Sequence, residues 1–208
     1  ALREVLNGAN EVLLETGVAL LGGHSIENEV PIFGMAVTGL VDPQQIWTNG
    51  EARVGDVVIL SKAIGTGIMN TAAKGGVFPK GVQEAIESMS RSNRTARDVA
   101  VQFSIHSCTD ITGFGFLGHL VEMLDGKHSA EVYSKDIPYI EEAYKCANEF
   151  VITAGGQLNR TFVEPNVEYQ IKDFALEEIM YDPQTSGGLL ISLPESEAYE
   201  LLEKLNTL

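Results

Sequence analysis

The sequence has few cysteines, few basic residues and no long hydrophobic run. Cys108 and Cys146 are its only cysteines, and neither belongs to a CxxC motif, so we expect neither a zinc site nor a disulfide framework. No apolar stretch approaches the ~20 residues that span a bilayer, and the start lacks the basic-then-apolar layout of a signal peptide. We therefore expect a cytoplasmic protein with two free thiols and no membrane partner.

The charge of the chain is strongly acidic. The 14 Lys and Arg side chains face 29 Asp and Glu side chains, which gives a net charge of −15. Such a surface repels nucleic acid and anionic membranes, so neither is expected as a partner. A phosphate site would have to be built locally from backbone amides, a metal ion and a few cations. Hydrophobic residues make up 44% of the chain, which is enough for a normal core.

Hydrophobic periodicity predicts helices and strands without strict βαβ alternation, which favours an α+β fold with a mixed sheet and helices packed on one face. Residues 42–52 are polar and look like a linker. The apolar helical stripe already begins at residue 2 without a cap, which indicates that the sequence starts inside a longer fold. Helices are predicted over 1–16, 68–74, 82–89, 95–106, 114–124, 139–149, 174–180 and 195–206, and strands over 18–21, 32–41, 57–60, 130–133 and 187–193.

The segment from Thr109 to His119 is the most informative part of the sequence. Asp110 precedes a glycine-rich turn, and an apolar helical pattern follows directly. Backbone N–H groups at a helix start attract anions, whereas an aspartate repels an anion unless a metal ion lies between them. The pattern therefore predicts a Mg²⁺–phosphate site. The alternative is that Asp110 caps the helix, as aspartate often does.

Three further glycine-bearing segments have both a functional and a structural interpretation. Gly22-Gly23-His24-Ser25 follows an apolar run, and its glycines would allow a ligand close to the backbone while His24 and Ser25 donate to phosphate. The alternative is a tight turn with an incidental histidine. Segments 65–67 and 182–188 are predicted to be structural turns, the first before a helix and the second before a buried strand. His119 is expected to be an ordinary surface or core residue.

Taken together, four segments resemble the selenophosphate synthetases (selenide, water dikinases) of the aminoimidazole ribonucleotide synthetase-like superfamily. They stand in the same order across nearly the whole chain, and the Thr-Asp-Ile-Thr-Gly-Phe-Gly run is the most discriminating of them. The segments are 21–25, 55–62 with 65–68, 108–115 and 182–190.

The resemblance implies a homodimeric, ATP- and Mg²⁺-dependent phosphotransferase that makes selenophosphate from selenide, with AMP and phosphate as the other products. By the same similarity, Asp110 would be a Mg²⁺ ligand that bridges to the ATP phosphates. Gly22, Gly23, His24 and Ser25 would belong to an ATP-binding segment. The expected partners are ATP, selenide and a second copy of the chain.

One part of the family pattern is missing. Members begin with a glycine-rich segment that carries a catalytic cysteine or selenocysteine and a nearby lysine, followed by further aspartate ligands. The expected division is therefore a C-terminal remnant of an N-terminal ATP-binding and dimerisation domain (1–41), a linker (42–52) and the C-terminal domain (53–208). No catalytic residue is assigned in this sequence, and the chain alone is predicted to be inactive.

Two other functions stay open at this point. The first is another ATP-dependent small-molecule kinase or synthetase of the same superfamily. The second is a non-catalytic module that binds nucleotide or dimerises.

Overall fold

The structure is a computed structural model that describes residues 2–170 and 172–207. Ala1, Ile171 and Leu208 fall inside ranges predicted from the sequence but lie outside the described residues. The chain divides into two compact units, unit 1 from residue 1 to 41 and unit 2 from residue 42 to 208.

Unit 1 contains helix α1, Leu2–Thr16. The helix ends as predicted, because Gly17 follows it with a φ of +71°, a conformation that glycine adopts without strain. The strands predicted over 18–21 and 32–41 are wrong, since residues 18–41 of unit 1 have no regular secondary structure. A strand is stable only when a neighbouring strand satisfies its N–H and C=O groups, and the described residues of unit 1 supply no such neighbour.

Unit 2 alternates irregularly between helices and short strands. Short 3₁₀ turns lie at Pro43–Gln45, Ser134–Asp136 and Glu164–Asn166. No helix in the described part of the chain is long and apolar enough to cross a membrane. The elements are β1 (Asp56–Leu60), α2 (Thr66–Gly75), α3 (Pro79–Ser90), α4 (Arg94–Ala100), β2 (Ser107–Asp110), α5 (Gly115–Leu124), α6 (Glu141–Asn148), α7 (Ala154–Val163), α8 (Phe174–Tyr181), β3 (Leu189–Pro194) and α9 (Glu195–Leu205).

The sheet of the described residues has the strand order β1-β3-β2. Both pairings are antiparallel, with Ile59 opposite Ile191 and Asp110 opposite Leu189. The last strand of the sequence therefore lies in the centre of the sheet. Because Asp110 pairs with the first residue of β3, it lies beside the loop that leads into β3.

Alternate residues of the strands enter two separate cores, as expected for the pleat of a sheet. Val58 and Leu60 of β1 and Leu190 of β3 join a large core with α2, α5, α6 and α8. Ile59 and Ile191 join a smaller core with α4 and α9 on the opposite face.

The α+β class is confirmed by this architecture. Two details differ from the expectation: the three strands are antiparallel rather than mixed, and helices cover both faces. The second layer was missed because α4 and α9, which pack on the opposite face, are far apart in the sequence.

Candidate functional site

Three glycine-bearing loops of unit 2 meet at one end of the sheet. We call residues 65–68, 110–115 and 182–188 the three-loop cluster. The N–H of Ile111 donates to the carbonyl of Gly188 (2.9 Å), and the N–H of Gln184 donates to the carbonyl of Thr112 (2.9 Å). The side chain of Gln184 in turn accepts the N–H of Gly65 (2.9 Å). Segments that resemble family motifs in the sequence thus form one hydrogen-bonded assembly.

Asp110 is the last residue of β2 and its side chain is exposed. Its carboxylate accepts no hydrogen bond within the described ranges 2–170 and 172–207, so its oxygens are open to solvent or a ligand. The helix-cap alternative is wrong: α5 begins only at Gly115, and its N-cap position is Phe114, with no side-chain cap. Asp110 therefore lies too far ahead of the helix to satisfy its first N–H groups.

The turn between Asp110 and α5 is held by two side chains to which the sequence analysis gave no role in this turn. Buried His119 accepts the N–H of Thr112 at Nε2 (3.1 Å), and its Nδ1 faces Glu122 (3.3 Å). Because Nε2 is an acceptor, the proton of the neutral ring lies on Nδ1. Asn159 supports the same turn by donating to the carbonyl of Gly113 (2.8 Å). The only sequence signal for His119 was its spacing, seven residues after Thr112.

Asp182 is a fully buried member of the three-loop cluster and completes the start of α2. One carboxylate oxygen accepts the N–H groups of Gly67 (2.9 Å) and Ile68 (3.1 Å) and the side-chain amide of Gln184 (3.0 Å). The other accepts the hydroxyl of Thr153 (3.0 Å). Burial raises the pKa of Asp182 to about 7, although these four donors oppose the rise.

The start of α2 is consequently not open to phosphate. Gln184 accepts the N–H groups of Gly65 and Thr66, and Asp182 accepts those of Gly67 and Ile68. All four donors are satisfied from within the chain. The prediction of a structural role is consistent with these contacts, but the predicted turn at 65–67 was too long, since α2 already begins at Thr66 and only Gly65 precedes it. The likeness of this segment to a phosphate loop has no functional counterpart.

The predicted ATP-binding segment Gly22–Ser25 lies in unit 1. All four residues are exposed and belong to no regular element. A Cβ atom at Gly22 or Gly23 would meet no atom of the chain within 4 Å, so packing within the chain does not require glycine there.

The described residues do not by themselves complete a magnesium site. In the described part of the chain, no three His, Cys, Asp or Glu side chains come together in a way that could hold a metal ion. Magnesium usually takes one or two carboxylates, several waters and the phosphates of its substrate. The free carboxylate of Asp110 fits one such position and no more.

A surface groove of about 1200 Å³ lies elsewhere in unit 2. It follows the outer edge of β1 and includes Lys62, but it does not include Asp110. Its size alone therefore does not identify the candidate site.

Comparison with known proteins places this geometry in a family. Residues 53–208 match the family described as AIR synthase related protein, C-terminal domain. Selenide, water dikinase of Desulfitobacterium hafniense is 46% identical over 205 residues, covering 98% of this chain and 60% of that relative. Selenide, water dikinase 2 of Peptoclostridium acidaminophilum is 40% identical over 208 residues, covering 99% of this chain and 60% of that relative.

The crystal structure of the hydrogenase maturation protein HypE superposes with a TM-score of 0.49 and 22% identity over 81% of this chain and 44% of that one. The chain spans about 60% of the length of the curated relatives it matches. The resemblance to selenide, water dikinases stated from the sequence is confirmed by these relatives. Because the family match extends over most of the residues, the chain belongs to the family of AIR synthase related proteins.

Proposed function

We propose that this chain is the C-terminal part of an enzyme that makes selenophosphate from selenide and ATP, with AMP and phosphate as the other products. Its curated relatives are named selenide, water dikinase. In this proposal residues 1–41 are the end of an N-terminal ATP-binding and dimerisation domain, residues 42–52 are a linker, and residues 53–208 are the C-terminal domain. The whole enzyme works as a homodimer in the cytoplasm, and the 208-residue chain alone is inactive.

The observation that carries the proposal is the free carboxylate of Asp110 at the edge of the three-loop cluster. A carboxylate that neither caps a helix nor pairs with a neighbour has no evident structural role. Its place at the end of β2, beside a turn held rigidly by His119 and Asn159, gives it a fixed position. Fixed oxygen ligands are what a metal-assisted phosphoryl transfer requires.

Each predicted site residue then has a role in the whole enzyme. Asp110 would hold one Mg²⁺, together with aspartates from the preceding domain and the phosphates of ATP. The bound Mg²⁺ would neutralise charge on the phosphate groups. Gly22 and Gly23 let the nucleotide approach the backbone, and His24 and Ser25 donate to its phosphate oxygens.

The test is the activity of the full-length protein with Asp110→Ala. We expect selenide-dependent formation of AMP to fall at least about 100-fold, because an electrostatic contact in the transition state is lost. The melting temperature should stay within about 2 °C, because the side chain is exposed and unpaired. Asp98→Ala is the matched control, since Asp98 is exposed on α4 and its ion pairs among the described residues are with its exposed neighbours Arg97 and Arg94.

Other outcomes would distinguish the remaining functions. Near-normal turnover of Asp110→Ala would refute the ligand role. Formation of AMP or ADP that does not depend on selenide would favour another ATP-dependent kinase or synthetase. Nucleotide binding without any turnover would favour a non-catalytic module.

A further inference from the structure

Lys62 carries a positive charge into unit 2 without a carboxylate to balance it. The residue is only 8% exposed. Its ammonium donates to the carbonyl oxygens of Arg91 (2.6 Å) and Ser186 (2.9 Å). Across residues 2–170 and 172–207, no carboxylate forms an ion pair with it, and burial together with the charge of Arg91 lowers the pKa of Lys62.

The stability of the fold does not account for this lysine. Lysine is almost never buried unless it is paired, and the free-energy cost of burying an ammonium exceeds what two carbonyl acceptors return. A methionine of similar length would fill the same space without that cost. An unbalanced buried charge next to a loop is therefore best explained by an anion that binds there.

The charge lies directly behind one exposed residue of the three-loop cluster. Ser186 is exposed and has a φ of +48°, which is unusual for a residue with a side chain. Lys62 holds its carbonyl, and Asn93 holds the next carbonyl, that of Gly187 (2.8 Å). Both anchoring side chains thus act on the same short stretch of backbone.

Ser186 is also connected to the residue after Asp110 through the backbone. Two residues after Ser186, the carbonyl of Gly188 accepts the N–H of Ile111, which directly follows Asp110. The hydroxyl of Ser186 makes no hydrogen bond within the part of the chain that the structure describes. A phosphate group bound next to Asp110 would meet an unused hydroxyl with a positive charge behind it.

We infer that Ser186 binds a phosphate oxygen of the nucleotide, and that Lys62 is the positioning residue that fixes Ser186 and supplies the positive charge. This inference rests on the proposed function, because it assigns the phosphate-contacting residue of the same site. It adds a hydroxyl donor from the loop before β3 to the carboxylate at the end of β2.

The test measures the binding of MgATP to the full-length protein by calorimetry and the KM for MgATP. Lys62→Met should weaken binding and raise KM at least tenfold, whereas Lys62→Arg, which keeps the charge and two donors, should stay within threefold of the unchanged protein. Ser186→Ala should raise both constants about threefold to tenfold without a change in melting temperature. Lys145→Met is the control, because Lys145 is exposed on α6 and its ion pair in the described part of the chain is with exposed Glu141.

The double variant Lys62→Met with Ser186→Ala separates positioning from a merely structural role. If Lys62 acts through Ser186, the two substitutions are not additive. The double variant should therefore bind MgATP more weakly than Lys62→Met, but by a smaller factor than Ser186→Ala causes on its own. A Lys62→Met protein that melts at a lower temperature but binds MgATP normally while folded would overturn the inference. If that variant does not fold, unchanged binding by Ser186→Ala overturns it instead.

A failure of the proposed function would give a different experimental result from a failure of this inference. If the unchanged protein binds MgATP but forms no AMP with selenide, the proposal of selenophosphate synthesis is refuted. Binding of MgATP to the variants would still test the role of Ser186. Unchanged protein that does not bind MgATP would overturn both.

Discussion

The buried carboxylate of Asp182 makes the stability of unit 2 depend on pH in a way that can be calculated. Burial raises its pKa from an ordinary value of 3.8 to about 7. Between pH 4 and pH 7 the unfolded chain has therefore released this proton while the folded chain still holds it. The free energy of unfolding then falls as pH rises, by about 1.4 kcal/mol per pH unit, and levels off above pH 7.

The variant Asp182→Asn isolates this contribution. The asparagine side chain is a neutral isostere whose oxygen can still accept the N–H groups of Gly67 and Ile68, so α2 keeps its start. Because asparagine has no proton to release, the free energy of unfolding of the variant does not fall between pH 4 and pH 7 through this residue. As the pH rises from 5 to 8, the free energy of unfolding of the variant should increase by about 3 kcal/mol relative to that of the unchanged protein. This corresponds to roughly 6–12 °C in melting temperature.

The assay is urea unfolding followed by circular dichroism at pH 5, 6, 7 and 8. Asp98→Asn is the control, and its difference from the unchanged protein should stay within about 0.5 kcal/mol at every pH. Parallel pH profiles for Asp182→Asn and the unchanged protein would refute the reasoning. They would mean that the four donors keep Asp182 ionised throughout, against the effect of burial.

Two further predictions concern backbone conformation and thiol reactivity. Gly115→Ala should lower the free energy of unfolding in urea by about 3 kcal/mol, because φ is +73° and the new Cβ would lie 2.7 Å from the carbonyl oxygen of Tyr181. Gly113→Ala is the control and should change stability little, because its Cβ would meet no described atom within 4 Å. Equal effects of the two substitutions would contradict this account. Burial raises the pKa of Cys108 to about 12 and that of Cys146 to about 11, so neither thiol should react with a disulfide reagent at pH 7.5 until the protein unfolds. Rapid labelling of the native protein would show that one of them is accessible.

The helices were largely predictable because their signals are local. The predictions 174–180 and 195–206 correspond to Phe174–Tyr181 and Glu195–Leu205. The prediction 95–106 was too long, since α4 ends at Ala100 and the chain then turns so that the N–H of His106 can donate to Ser192. Helix α7 was missed because its sequence, with Gly155 and Gly156 in the first turn, has low intrinsic helix propensity.

The strands were less predictable because their pairing partners are distant. Strand β2 was missed: its four residues show no alternation, and three of them are buried by long-range contacts. A strand predicted over 130–133 is absent, since those residues lie beside the groove along β1 without pairing to it. Apolar residues alone do not form a strand without a neighbour in register.

The residues of the candidate site also differ in how far they could be predicted from local sequence. Asp110 was predicted from a local pattern, a carboxylate ahead of a glycine-rich turn, and its metal role stays a prediction. Asp182, Lys62 and His119 were not singled out for their actual roles, since each acts on backbone groups that only the folded chain brings near. For Asp182 the partner N–H groups lie 114 and 115 residues away.

That separation has a consequence for synthesis of the protein. Helix α2 leaves the ribosome long before Asp182 and Gln184, which alone satisfy its first N–H groups. At 5–20 residues per second, the helix start waits roughly 10 s for them. During that interval four donors of a nascent helix point into solvent, so the order of translation delays completion of α2 until the loop before β3 arrives.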